Sequence, residues 1–402
     1  MKMEVLSIGQ ICSRFSSGKN ITAANIHEFG LYPVYGGNGL RGFTNSYNYD
    51  GECAIIGRQG AYCGNVKYVL GKSYMSEHAI VAVTNPNHNN RYFAYKLSLA
   101  KLGRFSGQAA QPGLSVTKLL RLKFEMPSRQ YQDRVASILS TYDSLIENNT
   151  KRIRILEKMA ENLYKEWFVC FRFPGYEKVE FADSKYGKLP NTFEIVRMKD
   201  VFGYYIGGGW GEENESDEFP EVASVIRGAD FPNVWHYDVD SCPRRFHKTR
   251  NYKARRLEAG DIIMEISGGT SEQPVGRTVL VTKELVERFE GGRVICASFC
   301  KLIRLNKEKV SPYYFYYWMK FLYDTRIIDR FQLQSTGIIN FKFEPFLRKG
   351  DVMLPAKEIM EAFGKKVMVL HQEMNLLAKQ NSLLARQRDL LLPRLMSGKL
   401  EV

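Results

Sequence analysis

The apolar positions divide the chain into segments of short β-branched runs and two long stretches where apolar residues recur in steps of three and four. The first stretch follows Pro127 and runs Leu139, Tyr142, Ile146, Asn149, Ile153, Leu156, Ala160, Leu163, Trp167. The second follows Pro355 and repeats the pattern 228 residues later: Val367, Leu370, Met374, Leu377, Asn381, Leu384, Arg388, Leu391, Leu395. Such spacing keeps one stripe of an α-helix against a partner over about four heptads, so both stretches are expected to be long helices that pair as a coiled coil. From Gln130 to Trp167 the first helix spans ~57 Å at 1.5 Å per residue. Each stripe carries one asparagine, Asn149 and Asn381, a polar residue of the kind that fixes register. Arg388 interrupts the second stripe.

The segments before the helices also correspond. Val5–Ile11 parallels Ile195–Val201, and Gly51-Glu52-Cys53-Ala54-Ile55-Ile56 parallels Gly260-Asp261-Ile262-Ile263-Met264-Glu265. Each Gly–acid pair followed by β-branched residues predicts a turn and a short strand. Glycine-rich stretches follow both strands, at 57–64 and 267–276. Tyr92-Phe93 and Tyr95 match Tyr314-Phe315 and Tyr317, and the aromatic run Tyr313–Trp318 is expected to be a core helix. The expected fold is α+β. Residues 1–127 form one β-rich domain and 128–170 a helix. Residues 171–190, with Pro174, Gly175, Gly187 and Pro190, form a linker; 191–354 form the second domain and 355–402 the last helix.

Composition narrows the class. The 402 residues are 44% hydrophobic and 25% charged, which excludes a disordered or collagen-like chain. No apolar run reaches the ~20 residues of a membrane span, and the first residues lack a signal-peptide core, so a cytoplasmic location is expected. Seven scattered cysteines suit a reducing compartment. Lys and Arg number 57 against 43 Asp and Glu, a net charge of +14 that points to a polyanionic partner. Residues 1–128 carry +8 of it, whereas 191–354 are near neutral because opposite runs cancel. Glu212, Glu213, Glu215, Asp217, Glu218 and Glu221 form an acidic run with no evident role. Arg244, Arg245, Lys248, Arg250, Lys253, Arg255 and Arg256 form a basic run, readable as a solvated loop or as phosphate contacts.

Catalytic constellations are missing. There is no phosphate loop, no G-x-G-x-x-G and no H-E-x-x-H. Asn85-Pro86-Asn87-His88 lacks the aromatic neighbour of a base-methylating loop. Cys296 and Cys300, four apart, suit one helix face, but no further His or Cys pair completes a zinc site. Asp261 and Glu265 with a distant Lys make only a generic nuclease set. The chain is expected to bind rather than to catalyse.

Two β-rich domains, each followed by a long helix, resemble the specificity subunit of type I restriction–modification enzymes. The likeness covers essentially the whole chain. It rests on Phe124-Glu125-Met126-Pro127 leading into Gln130–Leu139 and Asp143-Ser144-Leu145-Ile146, on Leu156–Phe168 ending Tyr164-Lys165-Glu166-Trp167-Phe168, and on Leu392-Pro393-Arg394-Leu395-Met396-Ser397-Gly398-Lys399-Leu400. Glu358-Ile359-Met360-Glu361 departs from the usual glutamine-led start of the second helix. The resemblance implies that each β-rich unit is a target recognition domain reading half of an interrupted site in double-stranded DNA. It also implies that the helices pack antiparallel as a spacer and bind methyltransferase (modification) subunits, which restriction/translocase subunits join. S-adenosylmethionine, ATP and Mg then belong to those partners, and this chain needs no cofactor. Half-sites on one face of B-DNA lie ~34–36 Å apart or a multiple of it, a separation that rigid helices can set.

Base reading calls for Arg at guanine and Asn or Gln at adenine. In the first domain, glycine-rich loops offer Tyr35, Gly37, Asn38 and Arg41, then Arg58 and Gln59, then Gln108 and Gln111, with Lys118 beyond for a phosphate. In the second, the counterparts are Arg227, Gln273 with Arg277, and Gln334 with Thr336, while Arg244, Arg245, Lys248 and Arg250 suit phosphates. The helix-pairing residues are Leu139, Ile146, Asn149, Leu156 and Leu163 with Val367, Met374, Leu377, Asn381, Leu384 and Leu391. Two rival readings stay open: a coiled-coil adaptor whose basic domains bind RNA or protein, and a self-contained DNA enzyme.

Overall fold

The computed structural model describes residues 3–60, 62–107, 113–270, 273–335 and 338–402, and for 334 and 335 it describes the backbone alone. The chain forms two compact units. One comprises Met1–Ile146 with Leu383–Val402, the other Glu147–Ser382.

The first unit opens with β1 (Glu4–Ser7), α1 (Ile8–Ile11) and β2 (Cys12–Ser17). It continues through β3 (Tyr32–Gly36), β4 (Gly39–Thr44), β5 (Glu52–Gly57), β6 (Val66–Leu70), β7 (Tyr74–Met75) and β8 (Ala79–Thr84). Then come α2 (Asn90–Leu99), α3 (Val116–Leu120), β9 (Lys123–Met126) and the long α4 (Arg129–Tyr164). A four-stranded antiparallel sheet has the order β2-β8-β5-β6, and a smaller sheet the order β4-β3-β7, in which β3 and β7 run parallel. β1 closes on β9, Glu4 opposite Met126. The two interior strands read as near-continuous apolar runs because both faces are covered: α2 buries Tyr92, Phe93 and Leu97 against Ile56, Ile80 and Ala82, and on the other face Cys53, Ile55 and Val81 cluster with Met75.

The second unit repeats this plan. Its elements are β10 (Phe181–Ser184), β11 (Gly187–Pro190), β12 (Glu194–Arg197), α5 (Met198–Val201), β13 (Phe202–Gly207), β14 (Glu221–Ile226), α6 (Phe231–Val234), β15 (Arg244–His247), α7 (Thr249–Arg255), β16 (Asp261–Glu265), β17 (Ser267–Gly269), β18 (Thr278–Leu280), α8 (Lys283–Val286), β19 (Val294–Cys296), β20 (Cys300–Leu305), α9 (Pro312–Asp324), β21 (Gln332–Ser335), β22 (Ile338–Phe341), α10 (Phe343–Lys349), β23 (Asp351–Leu354) and α11 (Lys357–Met396). The order β13-β20-β16-β18 copies the first sheet, β15-β14-β19 copies the second, and β12 pairs with β23 as β1 does with β9. Even a backbone approach recurs. Gly18 after β2 presses on the Met75 carbonyl and Gly208 after β13 on those of Cys296 and Ala297, so closely that a Cβ at either position would collide.

The aromatic run is the core helix the sequence predicts. α9 starts at Pro312, whose missing N–H costs nothing at a helix start, and buries Tyr314, Phe315, Tyr316, Tyr317 and Trp318. Cys296 and Cys300 share no helix face: they lie on β19 and β20 and are buried, and burial pushes the Cys296 thiol up to about 12. Residues 171–190, read as a linker, contain the β10–β11 hairpin, and Phe171 and Phe173 stack around Phe193 at 5.6 and 5.7 Å.

Within each unit a stretch of α4 packs antiparallel on a stretch of α11. In the first unit Tyr131 donates to the Leu395 and Leu400 carbonyls at 3.0 Å, and Val135, Ala136 and Leu139 meet Leu391, Leu392 and Leu395. In the second, Asn149 donates to Gln380 at 3.4 Å, Arg152 pairs with Glu373 at 3.0 Å, and Asn381 donates to Thr150 at 3.3 Å. The stripes do more than pair. Ile153, Met374 and Leu377 also pack on Phe231, Val234 and Leu285 of the β-rich part. α4 ends earlier than Trp167, in a π-helical turn over Lys165–Val169 that turns both Trp167 and Phe168 inward. Phe168 then meets Tyr314 at 4.8 Å and Phe363 at 5.1 Å. Among the described residues, no helix is long and apolar enough to cross a membrane.

Candidate nucleic-acid interface

In the first unit the nominated loops meet at one end of the sheets. The β3–β4 turn sits on the chain leaving β5, and a Cβ on Gly37 would lie 3.1 Å from the Gln59 carbonyl. Arg58 N–H donates to the His78 carbonyl at 2.9 Å, and Leu114 N–H donates to the Arg58 carbonyl at 2.9 Å. Between the turn and β6 lies a cavity of about 190 Å³ lined by Gly36, Gly37, Asn38, Gly57, Asn65 and Lys67, among others. Asn38, in the turn, and Arg41, on β4, are exposed. Arg58 is half-buried and donates to Ser17 Oγ at 3.2 Å. The Gln59 carboxamide bonds His78 Nδ1 at 3.1 Å, and His78 Nε2 meets Glu77 at 3.0 Å. Lys67 Nζ stands 5.7 Å from the Tyr35 ring, placing a cation at the cavity mouth. Lys118 is exposed on α3. Gln108 and Gln111 fall outside the described residues.

The second unit brings the corresponding loops together but uses the cations differently. Strand register shifts the sequence parallel by one residue, so that Gly57, not Ile56, corresponds to Glu265 and Asn65 to Arg277, and Glu265 and Arg277 form a buried ion pair with bonds of 2.7 and 2.8 Å. Arg277, only 7% exposed, also donates to the Gly228 carbonyl at 2.9 Å. Burial opposes its charge, but the Glu265 bonds hold its pKa above the ordinary value. Arg277 therefore ties the loops to one another rather than offering a guanidinium to a base, and Gln273 turns its amide onto it at 2.9 Å. Arg227 is likewise committed, donating twice to Asp230 at 2.8 and 2.9 Å and once to the Ser241 carbonyl at 2.8 Å. Burial would raise the Asp230 carboxyl, yet Arg227 holds it below its usual range. Gln334 lies on β21; its side chain and Thr336 are outside the described residues. Asp261 is bound by Arg304 at 2.8 Å, so both carboxylates of the generic nuclease set are neutralised by arginines.

The acidic run acquires a place here. Glu213 pairs with Arg245 at 3.1 Å, Glu218 with Lys248, and Glu221 with Arg293, while Arg244 pairs with Glu290 at 2.7 Å. Arg244, Arg245 and Lys248 of the basic run are thus neutralised within the unit; Arg250 stands exposed at the start of α7. Sequence reasoning missed Lys67, His78 and its exposed counterpart Phe299, whose carbonyl accepts from Ile266 as that of His78 does from Arg58. It also missed Trp210, with the Arg245 guanidinium 4.8 Å above its ring. Trp210, between Gly209 and Gly211, carried a sequence signal, whereas Lys67, His78 and Phe299 have no glycine beside them.

Comparison with known proteins agrees with the duplicated plan. Residues 1–158 match the type I restriction modification DNA specificity domain. The EcoprrI specificity subunit of Escherichia coli is 37% identical over 169 residues, 41% of this chain and 42% of that one. The MjaVIII specificity subunit of Methanocaldococcus jannaschii is 22% identical over 99% of this chain and 93% of its own. The chain thus spans less than half of the first relative and nearly all of the second. In fold, the type I restriction–modification S subunit of M. genitalium superposes with a TM-score of 0.59 at 14% identity, covering 98% of this chain and 96% of that one. The two copies of one sheet plan and the paired helices thus share the fold of that S subunit, and residues 1–158 match the type I restriction modification DNA specificity domain.

Proposed function

We propose that this chain is the DNA-recognition subunit of a type I restriction–modification assembly. Each β-rich unit reads one half of an interrupted site in double-stranded DNA. The observation that carries the reading is the repeated strand order, which twice brings glycine-rich loops to one end of a sheet. Glycines let the backbone approach a groove, and Asn38, Arg41, Arg58 and Gln59 supply the donors and acceptors that distinguish base edges.

The helices carry modification (methyltransferase) subunits, and restriction/translocase subunits join them. Supporting this, Val369 and Leu376 in the second unit and Leu383 and Leu390 in the first are exposed on α11. They recur every seven residues, the spacing of a seam for a further helix. The chain itself is non-catalytic and takes no cofactor; S-adenosylmethionine, ATP and Mg act on the partner subunits.

The test is methylation mapping. The chain alone should leave DNA unmethylated, and addition of a cognate modification subunit with S-adenosylmethionine should yield methylation at a bipartite site. Exchanging residues 1–127 for those of another family member should change one half of that site. Turnover by the chain alone that a point mutation in it abolishes would overturn the reading, as would a change in both halves.

A further inference from the structure

We propose, building on the DNA-binding reading above, that Arg245 and Lys248 form a phosphate-binding site in the second unit which Glu213 and Glu218 occupy in the free chain. The acidic segment is held over these cations rather than merely lying near them. Glu212 N–H donates to the Phe246 carbonyl at 2.9 Å, and Phe246 N–H donates back to the Glu212 carbonyl at 2.9 Å. Gly211, at φ +75°, allows this approach, because a Cβ there would collide with the Phe246 carbonyl. The segment's aromatics cover the same cations: Trp210 lies under Arg245 at 4.8 Å and Phe219 under Lys248 at 5.1 Å.

The carboxylates imitate what they displace. Each brings one anionic oxygen to a cation, as a phosphate oxygen would. Both are exposed, Glu213 at 75% and Glu218 at 66% of the side chain. The cations are less open, Arg245 at 18% and Lys248 at 45%, but with both carboxylates facing solvent the pairs are screened by salt, so a DNA backbone can exchange for the carboxylates. Among the described residues the first unit shows no such cover. Its corresponding segment, Gly18–Leu31, carries one acid, Glu28, where 208–220 carries five and no Lys or Arg. The exchange therefore weakens backbone binding by the second unit equally on every sequence, whereas the first unit's corresponding segment brings a single acid, Glu28.

The full-length Glu213→Gln/Glu218→Gln variant and the unaltered chain should be titrated against one random-sequence duplex over a salt series. The variant is expected to bind roughly three- to thirtyfold more tightly at low salt. Its slope of log affinity against log salt should be steeper by about one unit for each additional phosphate it neutralises. Adding Arg245→Ala and Lys248→Ala to it should erase the tighter binding, which a general loss of negative charge would not allow. Tighter binding that survives those alanines, or a variant identical to the unaltered chain in affinity and slope, overturns the inference and leaves the DNA-binding reading standing. Failure of every form, the unaltered chain included, to bind duplex defeats both.

Discussion

Arg388, the residue that interrupts the apolar stripe of the second long helix, donates to Asp143 on the first at 2.8 Å. Asp143 also accepts from Tyr95 and, at 3.4 Å, from Arg91, both on α2. One half-buried carboxylate therefore joins the helix pair to the first β-rich unit. The interruption is compensated: the charge that breaks the stripe meets its counter-charge on the facing helix.

Asp143→Ala strands the half-buried Arg91 guanidinium and the Tyr95 phenol, while Arg388 keeps its bonds to Asp389. The expected cost is about 1–3 kcal/mol, read as a lower midpoint in calorimetric unfolding. Arg388→Leu continues the apolar stripe and should cost less, because Asp143 keeps its other two donors.

His371 on α11 sits among tyrosines, bonded to Tyr237 at 2.8 Å and Tyr317 at 3.1 Å. Burial lowers its pKa from 6.5 to about 4, although Glu284 and Glu157 pull it upward. The unfolded chain therefore binds the proton first. Stability should be intact above pH 6.5 and fall as pH drops from 6.5 towards 4, by on the order of 3 kcal/mol in all. Denaturant titrations at pH 7.5 and 4.5 measure the loss, and His371→Gln should remove most of the dependence within that window.

The Glu265–Arg277 pair gives a prediction of opposite signs. Arg277→Met leaves a buried carboxylate unpaired and should destabilise by about 3–5 kcal/mol. Glu265→Leu with Arg277→Met removes both charges and should recover most of that loss. If Arg277→Met instead altered sequence preference with stability unchanged, Arg277 would be a base reader.

Arg41 and Arg58 remain the arginines placed to read bases in the first unit. Arg41→Ala and Arg58→Ala should each cost ~1–3 kcal/mol on the site found by methylation mapping and little on random duplex. Equal weakening on both duplexes would make the residue a phosphate contact. Arg41 is the more exposed, so its removal should disturb the fold less than loss of the Arg58–Ser17 bond.

Much of this protein was legible in the residue order, because periodicity is a local property. Steps of three and four along α4 and α11, the Gly–acid starts of β5 and β16 and the aromatic run of α9 each follow from neighbours within one or two turns. The offset of 228 then exposed the duplication. What the tertiary structure decided is which polar groups are still available. Arg277 and Gln273, nominated as readers, are joined to each other and to a strand that begins twelve or more residues earlier, and Arg245 and Lys248 are met by acids some thirty residues away. The spacing of Cys296 and Cys300 fitted a helix but belongs to two strands, and the stripe of α4 serves the β-rich core as well as its partner helix. A charge run reads the same whether it faces water, phosphate or its own counter-ions. Only chain folding, which brings distant segments to within ion-pair distance, separates the three.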